Sequence, residues 1–434
     1  MNKSTWIPVV VAAGLLSGAA ELKASDWPQY RGPNLDGSSP EKLAMKKWPK
    51  KGPRVLWRQK TPNGFSSFTV GGGNAYTVVG PVIGGERREV AVAYDAKSGK
   101  QKWRVVLGSG DYEHDGGNAG ARDNKGGDGP RSTPSYDNGK VYVLSAQLSL
   151  VCLDADSGKK IWGRDIMKQN AGVQIKWKNA ASPVIDGDLL FVAGGGPGQA
   201  LMALNKNNGK VVWKGQDDLM THSTPTVADI LGVRQVVFFT QQGLIGMESQ
   251  SGKALWRYDF PFKVSTAISP VVAGDIVYCS AGYGVGGGAC KVSKQGSRFS
   301  AEEIYRRPGD KFIANHWSTP VLHEGHLYGM FQFKKYGNGP IKCVDVKTGE
   351  VKWEQPGFGP GNVVLVDGHL LALSDTGELY LIKADPSGYR EVAKTKVLDG
   401  KCWTTPVISN GRIYARSTTE AVCLDVSAGA VASR

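Results

Sequence analysis

Four side chains capable of binding chemistry share a register in this sequence, and others stand close beside them. A Ser/Thr-Pro or Ser-Pro motif recurs at Pro134, Pro183, Pro225, Pro270, Pro320 and Pro406, and the residues three before each proline are Arg131, Ala180, His222, Ala267, Trp317 and Trp403. Trp177, Lys178 and His316 stand in the same stretches. If the prolines mark equivalent strands, these positions meet at one rim. Guanidinium and ammonium groups pair with carboxylates, and indole faces stack on planar rings, so Arg131, Lys178, His222, His316, Trp317 and Trp403 form a candidate site for a planar or anionic ligand. The same residues also suit a plain channel plug, and a lone histidine is commonly an ordinary hydrogen-bonding group, so both uses stay open.

Other chemistry is thinner. The loop at 108–131 carries Asp111, Glu113, His114, Asp115, Asp123 and Asp128 among glycines, a set able to hold Ca²⁺, but its spacing fits no EF-hand and a flexible insertion explains it equally. The Gly-rich stretch at 280–290 lacks the lysine and following helix of a phosphate loop and reads as a loop within a hairpin. Neither a G-x-S-x-G elbow nor an HExxH pair occurs, so no catalytic residue is assigned. The six cysteines show no CxxC or Cys/His spacing, which leaves no zinc site. Cys152, Cys343 and Cys423 fall at one repeat position and read as small core residues, whereas Cys279 and Cys290 could bridge within a hairpin.

The elements that position these residues come from a repeat. AYDAKSGKQKW (93–103), CLDADSGKKIW (152–162), ALNKNNGKVVW (203–213), GMESQSGKALW (246–256) and CVDVKTGEVKW (343–353) each read as a strand, a glycine turn and a strand carrying tryptophan. The Pro motifs open a second hairpin per period. Their spacings of 49, 42, 45, 50 and 86 residues include one double period, filled by a degenerate copy at 363–382. Four strands every ~40–50 residues predict propeller blades. Outer-strand positions at Trp57, Trp103, Trp162, Trp213, Trp256, Tyr305, Trp353 and about Val392 count eight, with the tryptophans docking blade on blade. The strand at 55–57 lacks inner partners and the last repeat lacks an outer strand, so the two should pair and close the ring.

Composition agrees with an all-β fold. The 434 residues are 41% hydrophobic and 21% charged, with 58 Gly, 22 Pro and 12 Trp, which argues against disorder and coiled coil. Lys and Arg total 53 against 39 acids, a net +14, but the lysines sit in turns and point to a dispersed surface rather than a nucleic-acid patch. Residues 1–24 read as a secretory leader, too short in its apolar run to span a membrane, with Ala19 where a lipidated cysteine would stand. Residues 25–52 then form an N-terminal extension and 53–434 the propeller, a periplasmic or secreted monomer.

The pattern Asp-x-x-(Ser/Thr)-Gly-(Lys/Glu)-x-x-Trp resembles the docking repeat of the quinoprotein-like (PQQ-like) β-propellers across residues 53–430, and DWPQYRGPNLDG (26–37) looks like exported PQQ-binding-like repeat proteins. That superfamily includes alcohol dehydrogenases carrying pyrroloquinoline quinone (PQQ), the barrel-assembly scaffold BamB and cofactor-free sensor domains, so the resemblance implies a fold more than a chemistry. The dehydrogenases are known for an adjacent cysteine pair and a Ca²⁺ triad, and this chain has no Cys-Cys pair. The expectation is an exported, non-catalytic scaffold in outer-membrane biogenesis, binding a protein partner or a small anionic or aromatic ligand at the channel face, with no cofactor and no bound metal. The alternatives are a PQQ- and Ca²⁺-dependent alcohol or sugar dehydrogenase, with Arg131, Trp317 and Trp403 holding the quinone, and a glycan or cell-wall binder.

Overall fold

The computed structural model describes residues 26–112, 129–332 and 335–427. Short alternating strands bounded by Gly and Asp turns pair into eight sheets, each a blade of four antiparallel strands, and two of the sheets gain a fifth, two-residue strand. The first blade runs from Thr69–Gly71 to Gln101–Ser109, the second from Ser135–Asp137 to Lys160–Asp165, and the third from Val184–Asp186 to Val211–Gly215. Blade four runs from Thr226–Ile230 to Ala254–Asp259, blade five from Val271–Ala273 to Arg298–Arg307, and blade six from Val321–His323 to Val351–Gln355. Blade seven covers Asn362–Val366 to Glu391–Lys396. Blade eight takes three strands from Val407–Ser409 to Glu420–Asp425 and its outer strand from Arg54–Lys60, in register Trp57 with Cys423. The ring is therefore closed by the two ends of the propeller sequence, as the unpaired 55–57 strand requires.

The repeat's turn explains the joints. Asp95 Oδ1 accepts hydrogen bonds from the Ser98 amide and hydroxyl, and Asp154 does the same for Ser157. The following glycine adopts a left-handed backbone, φ +71° at Gly158 and +70° at Gly209. The tryptophan of the preceding blade lies flat on that glycine: a Cβ on Gly209 would fall 2.6 Å from the Trp162 ring. Each indole also donates its Nε1–H to a backbone carbonyl across the joint, from Trp57 to Ala96 (3.2 Å), Trp103 to Ala155 (2.9 Å), Trp162 to Lys206 (3.0 Å), Trp213 to Ser249 (2.8 Å) and Trp353 to Asp385 (2.8 Å). Trp256 differs. Blade five has a long hairpin in place of that turn, and Trp256 donates instead to Gln235 of its own sheet at 2.7 Å.

Opposite each tryptophan the third strand carries a small residue, and in every such blade but the fourth, where Val237 stands, an aromatic from the second strand fills the other side. Cys152 sits between Tyr142 and Trp162, Cys343 between Tyr328 and Trp353, and Cys423 between Tyr414 and Trp57. Blade seven inverts this arrangement. Leu381 occupies the small slot and faces Ala393, so the residue in the tryptophan register is Ala393, one beyond the Val392 expected from spacing. The bridge considered between Cys279 and Cys290 is also corrected. Both are buried free thiols, with Cys279 facing Gly288 and Cys290 facing Val277, a diagonal of roughly 7–8 Å that a disulfide cannot span.

The N-terminal segment does not hang free. Trp27 bridges Val70 of blade one, Gln29 bonds the Ile185 backbone of blade three, and Arg31 donates to the Thr319 and Pro320 carbonyls of blade six at 3.2 and 2.9 Å. Ser38–Ser39 then pairs in parallel with blade seven. The segment thus crosses the disk along its inner strands. Closure gains a second lock from Arg416 of blade eight, fully buried, which donates to Thr77 Oγ1 and the Val78 carbonyl of blade one at 3.0 Å and to the Pro62 carbonyl at 2.9 Å. Trp162→Ala should cost ~3–5 kcal/mol in denaturant unfolding, because it empties a blade joint of an indole. Unchanged stability would contradict this docking.

Candidate functional site

The loops that lead from each outer strand into the next inner strand converge on a cavity of about 420 Å³ at one end of the channel, within the size range of small-ligand sites. Tyr30 of the N-terminal segment also lines this funnel, between Gln29 and Arg31, which bond blades three and six. Its throat is built by the Ser/Thr-Pro motif. The amide of Thr405 donates to Ser67 Oγ, Ser67 to Thr133 Oγ1, Thr133 to Ser182 Oγ and Ser182 to Thr224 Oγ1, all at 2.9–3.0 Å. Each hydroxyl thus stitches the blade before it. The motif marks this ring as well as the strand start, which explains why Ser or Thr precedes proline.

Five of the six expected residues, Arg131, His222, His316, Trp317 and Trp403, line the funnel. Lys178 is not among the lining residues, and Lys176 and Trp177 of its loop line the cavity. The loop turns through two successive left-handed residues, φ +67° at Trp177 and +63° at Lys178, each costing roughly 1–2 kcal/mol for a non-glycine residue. The turn is held where Arg131 Nη1 donates to the Trp177 carbonyl at 2.8 Å and the Lys178 amide to the Ile175 carbonyl at 3.0 Å. Strain of this kind concentrates at binding sites.

The funnel has two unlike halves. One is aromatic: Trp403 is stacked with Phe65 at 5.0 Å and Tyr336 at 5.7 Å, Trp317 lies 4.7 Å from Trp403, and His316 meets Trp317 edge-on at 4.9 Å. Lys401 covers the same Trp403 ring at 4.7 Å, so Trp403 is 9% exposed and serves as a wall rather than an open stacking face. The other half is cationic, with Arg131 over Tyr112 at 5.0 Å and Lys176 over Trp177 at 5.0 Å. No Asp or Glu lines the funnel among the described residues.

His222 is spoken for at both nitrogens. Nδ1 meets Ser265 Oγ at 2.8 Å and Nε2 meets the Lys176 carbonyl at 3.0 Å. The carbonyl can only accept, so Nε2 carries the proton and Nδ1 accepts from the serine. Burial first, and then the Arg131 charge, push its pKa down to about 3. A Ser–His pair of this kind is geometrically a nucleophile and base, yet an imidazole that resists protonation cannot take the serine proton, and the pair acts as a clamp between two loops.

Sequence reasoning missed Phe65, Lys176, Tyr336 and Tyr30. Phe65 occupies the same register as Arg131, three residues before Phe68, but that copy replaces the proline with phenylalanine and hides the match. Tyr30 carries no sequence signal because the path of residues 26–45 depends on tertiary contacts alone. The carboxylates at 113, 115, 123 and 128 and His114 lie outside the described residues, as does the leader at 1–24. Among the described residues no group of three or more His, Cys, Asp or Glu is placed to hold a metal, and no helix is long and apolar enough to cross a membrane.

The family model described as outer membrane protein assembly factor BamB matches residues 87–355 and 337–432. The chain belongs to this family. BamB of Shewanella oneidensis is 25% identical over 264 residues, covering 58% of this chain and 63% of the relative, so the match spans less than two thirds of that protein's length. The fold is shared with the crystal structure of BamB from Moraxella catarrhalis, at TM-score 0.57 and 14% identity over 86% of this chain and 97% of that one. It is equally shared with quinohemoprotein alcohol dehydrogenase from Comamonas testosteroni, at TM-score 0.61 and 12% identity over 93% and 80%. Ca²⁺ takes six to eight oxygen ligands, commonly with carboxylates among them, and among the described residues the funnel lining offers side-chain hydroxyls and the Asn362 amide but no carboxylate.

The His222 environment has a measurable consequence. Its folded pKa lies below the ordinary value near 6.5, so the unfolded chain binds the extra proton and the associated stability, present above pH ~6.5, is lost as the pH falls toward 3. In NMR titration its ring carbons should stay at neutral-imidazole shifts from pH 8 to pH 4.5. A midpoint near 6.5 would mean that the clamp is open.

Proposed function

We propose that this family member is an exported, non-catalytic binding propeller, and that it engages a protein segment or small ligand of its partner through the channel funnel. The observation that carries this reading is the funnel itself: a cavity with an aromatic wall, a cationic wall and no described carboxylate. Membership in the assembly-factor family supports a role in outer-membrane biogenesis, and the leader expected at 1–24 supports delivery to the periplasm. A dehydrogenase reading lacks a described carboxylate in the funnel to act as base, since the residue that removes a proton must reach the reacting group.

A photo-crosslinking side chain at Trp177 tests the assignment in cells, with Lys102 on an outer strand as the control position. Adducts from position 177 and few from 102 are expected. Adducts confined to 102 would move the binding surface to the blade edges. In parallel, the purified protein supplied with PQQ, Ca²⁺ and a panel of alcohols and sugars should reduce no dye, and sustained reduction would overturn the non-catalytic assignment.

A further inference from the structure

Behind Arg131 lies a buried carboxyl that the binding reading leaves unused. Glu89, on the third strand of blade one, is 1% exposed. Its Oε1 accepts the Tyr112 hydroxyl at 2.8 Å and its Oε2 accepts the Ala146 amide of the neighbouring blade at 2.8 Å. The Arg131 guanidinium lies on the Tyr112 ring. Glu89, Tyr112 and Arg131 therefore form a layered set running from the core to the funnel wall, with Arg131 as the cation that offsets Glu89.

We propose that the funnel holds an aromatic carboxylate, its anionic group on Arg131 and its ring against Trp177 and Trp317, and that Glu89 takes up one proton from solvent as that anion binds. This rests on the funnel being the binding site. One guanidinium cannot offset two carboxylates in a largely desolvated wall, and of the two the buried Glu89 has the higher cost as an anion. The proton goes to Oε1, which then donates to the Tyr112 oxygen, while Oε2 keeps the Ala146 N–H as its donor. Heavy atoms need not move far, because both partners already stand at hydrogen-bond distance.

The electrostatic surroundings favour this exchange near neutrality. Burial pushes the Glu89 carboxyl up to about 7, against the opposing pull of the Ala146 amide, Tyr112 and Arg131. Arg87 faces Tyr112 from the same strand as Glu89. On the funnel side the charged groups among the described lining residues are Arg131 and Lys176, and His222 beside Arg131 stays neutral. Below pH ~7 the free protein already carries the Glu89 proton and the anion binds at full strength. Above it the proton must be drawn from solvent, and affinity falls as the pH rises, by up to tenfold per unit.

Calorimetric titration with naphthalene-2-carboxylate at pH 6, 7 and 8, each in two buffers of different ionisation heat, reads both parts. Binding should weaken about tenfold from pH 6 to pH 8, with uptake of about half a proton at pH 7 and nearly one at pH 8. Glu89→Gln should keep the pH 6 affinity and lose both effects. The neutral naphthalene-2-carboxamide should bind at least about tenfold more weakly than the acid at pH 6. A hexapeptide ending in tryptophan, compared with its C-terminal amide, separates a polypeptide terminus from a free small acid as the source of the carboxylate; tighter binding of either acid supports the site. If neither acid binds, the funnel reading itself is overturned. If an acid binds with equal strength at pH 6 and 8 and with heats independent of buffer, the funnel stands and the proton coupling is wrong. Equal binding of the carboxamide removes the anion from the assignment. The buffer comparison uses the unaltered protein, so the coupling stays testable even if the Glu89 variant fails to fold.

Discussion

A propeller blade is apolar on both faces, and each face needs a neighbour; eight wedges satisfy that demand only if the last meets the first. Here the junction is made inside one sheet. Arg54–Lys60 supplies the outer strand of a blade whose other three strands lie at the far end of the chain, and the Trp57 it carries then bonds across to blade one as Trp103, Trp162, Trp213 and Trp353 bond to their own neighbours. The pairing is long-range, so its chain-entropy cost falls early and its return comes only when the ring is complete. Arg416 adds to the same seam. It is fully buried with carbonyl and hydroxyl acceptors from blade one and the 62–66 loop, and burial pulls its pKa down to about 10 without removing its charge at neutral pH.

Ring rigidity is what gives the funnel a shape. Indoles laid on left-handed glycines at the rim and hydroxyls bonded to neighbouring amides at the throat fix each blade at two radii. The entry loops then have little freedom, and the left-handed turn at Trp177 and Lys178 is sustained by the structure around it rather than by its own preference. The N-terminal segment completes the site by adding Tyr30 to its lining. The funnel's character follows from what surrounds it: aromatic side chains pack on one another on one side, and on the other the Arg131 guanidinium lies over Tyr112 with the Glu89 carboxyl buried behind it.

The fold was legible because it is written in local, repeated rules. An Asp-x-x-Ser-Gly turn followed by tryptophan reports the joint wherever it occurs, and it failed only where the rule is broken: blade seven, with Leu381 and Ala393 exchanged in size, and blade five, with its longer hairpin. The site was legible in part for the same reason. Residues three before each proline meet as the register demands, but Phe65 lacks the proline, Lys176 and Lys178 differ only in which of them a strained loop turns inward, and Tyr30 arrives by a path that no periodicity encodes. Glu89 was invisible, since a carboxylate in a strand looks like any surface acid until Tyr112 and Ala146 are seen to enclose it.

Native-state amide hydrogen exchange across the closing seam tests the central claim most directly. With the ring closed through this strand, the amides of residues 54–60 bonded to 420–425 should open with the same free energy as those of the fully internal strand Gly243–Glu248, because both are lost only when the propeller unfolds as a whole. Rapid exchange at 54–60 beside a still-protected 243–248 would show a strand that frays by itself, and the ring would not be closed in this way.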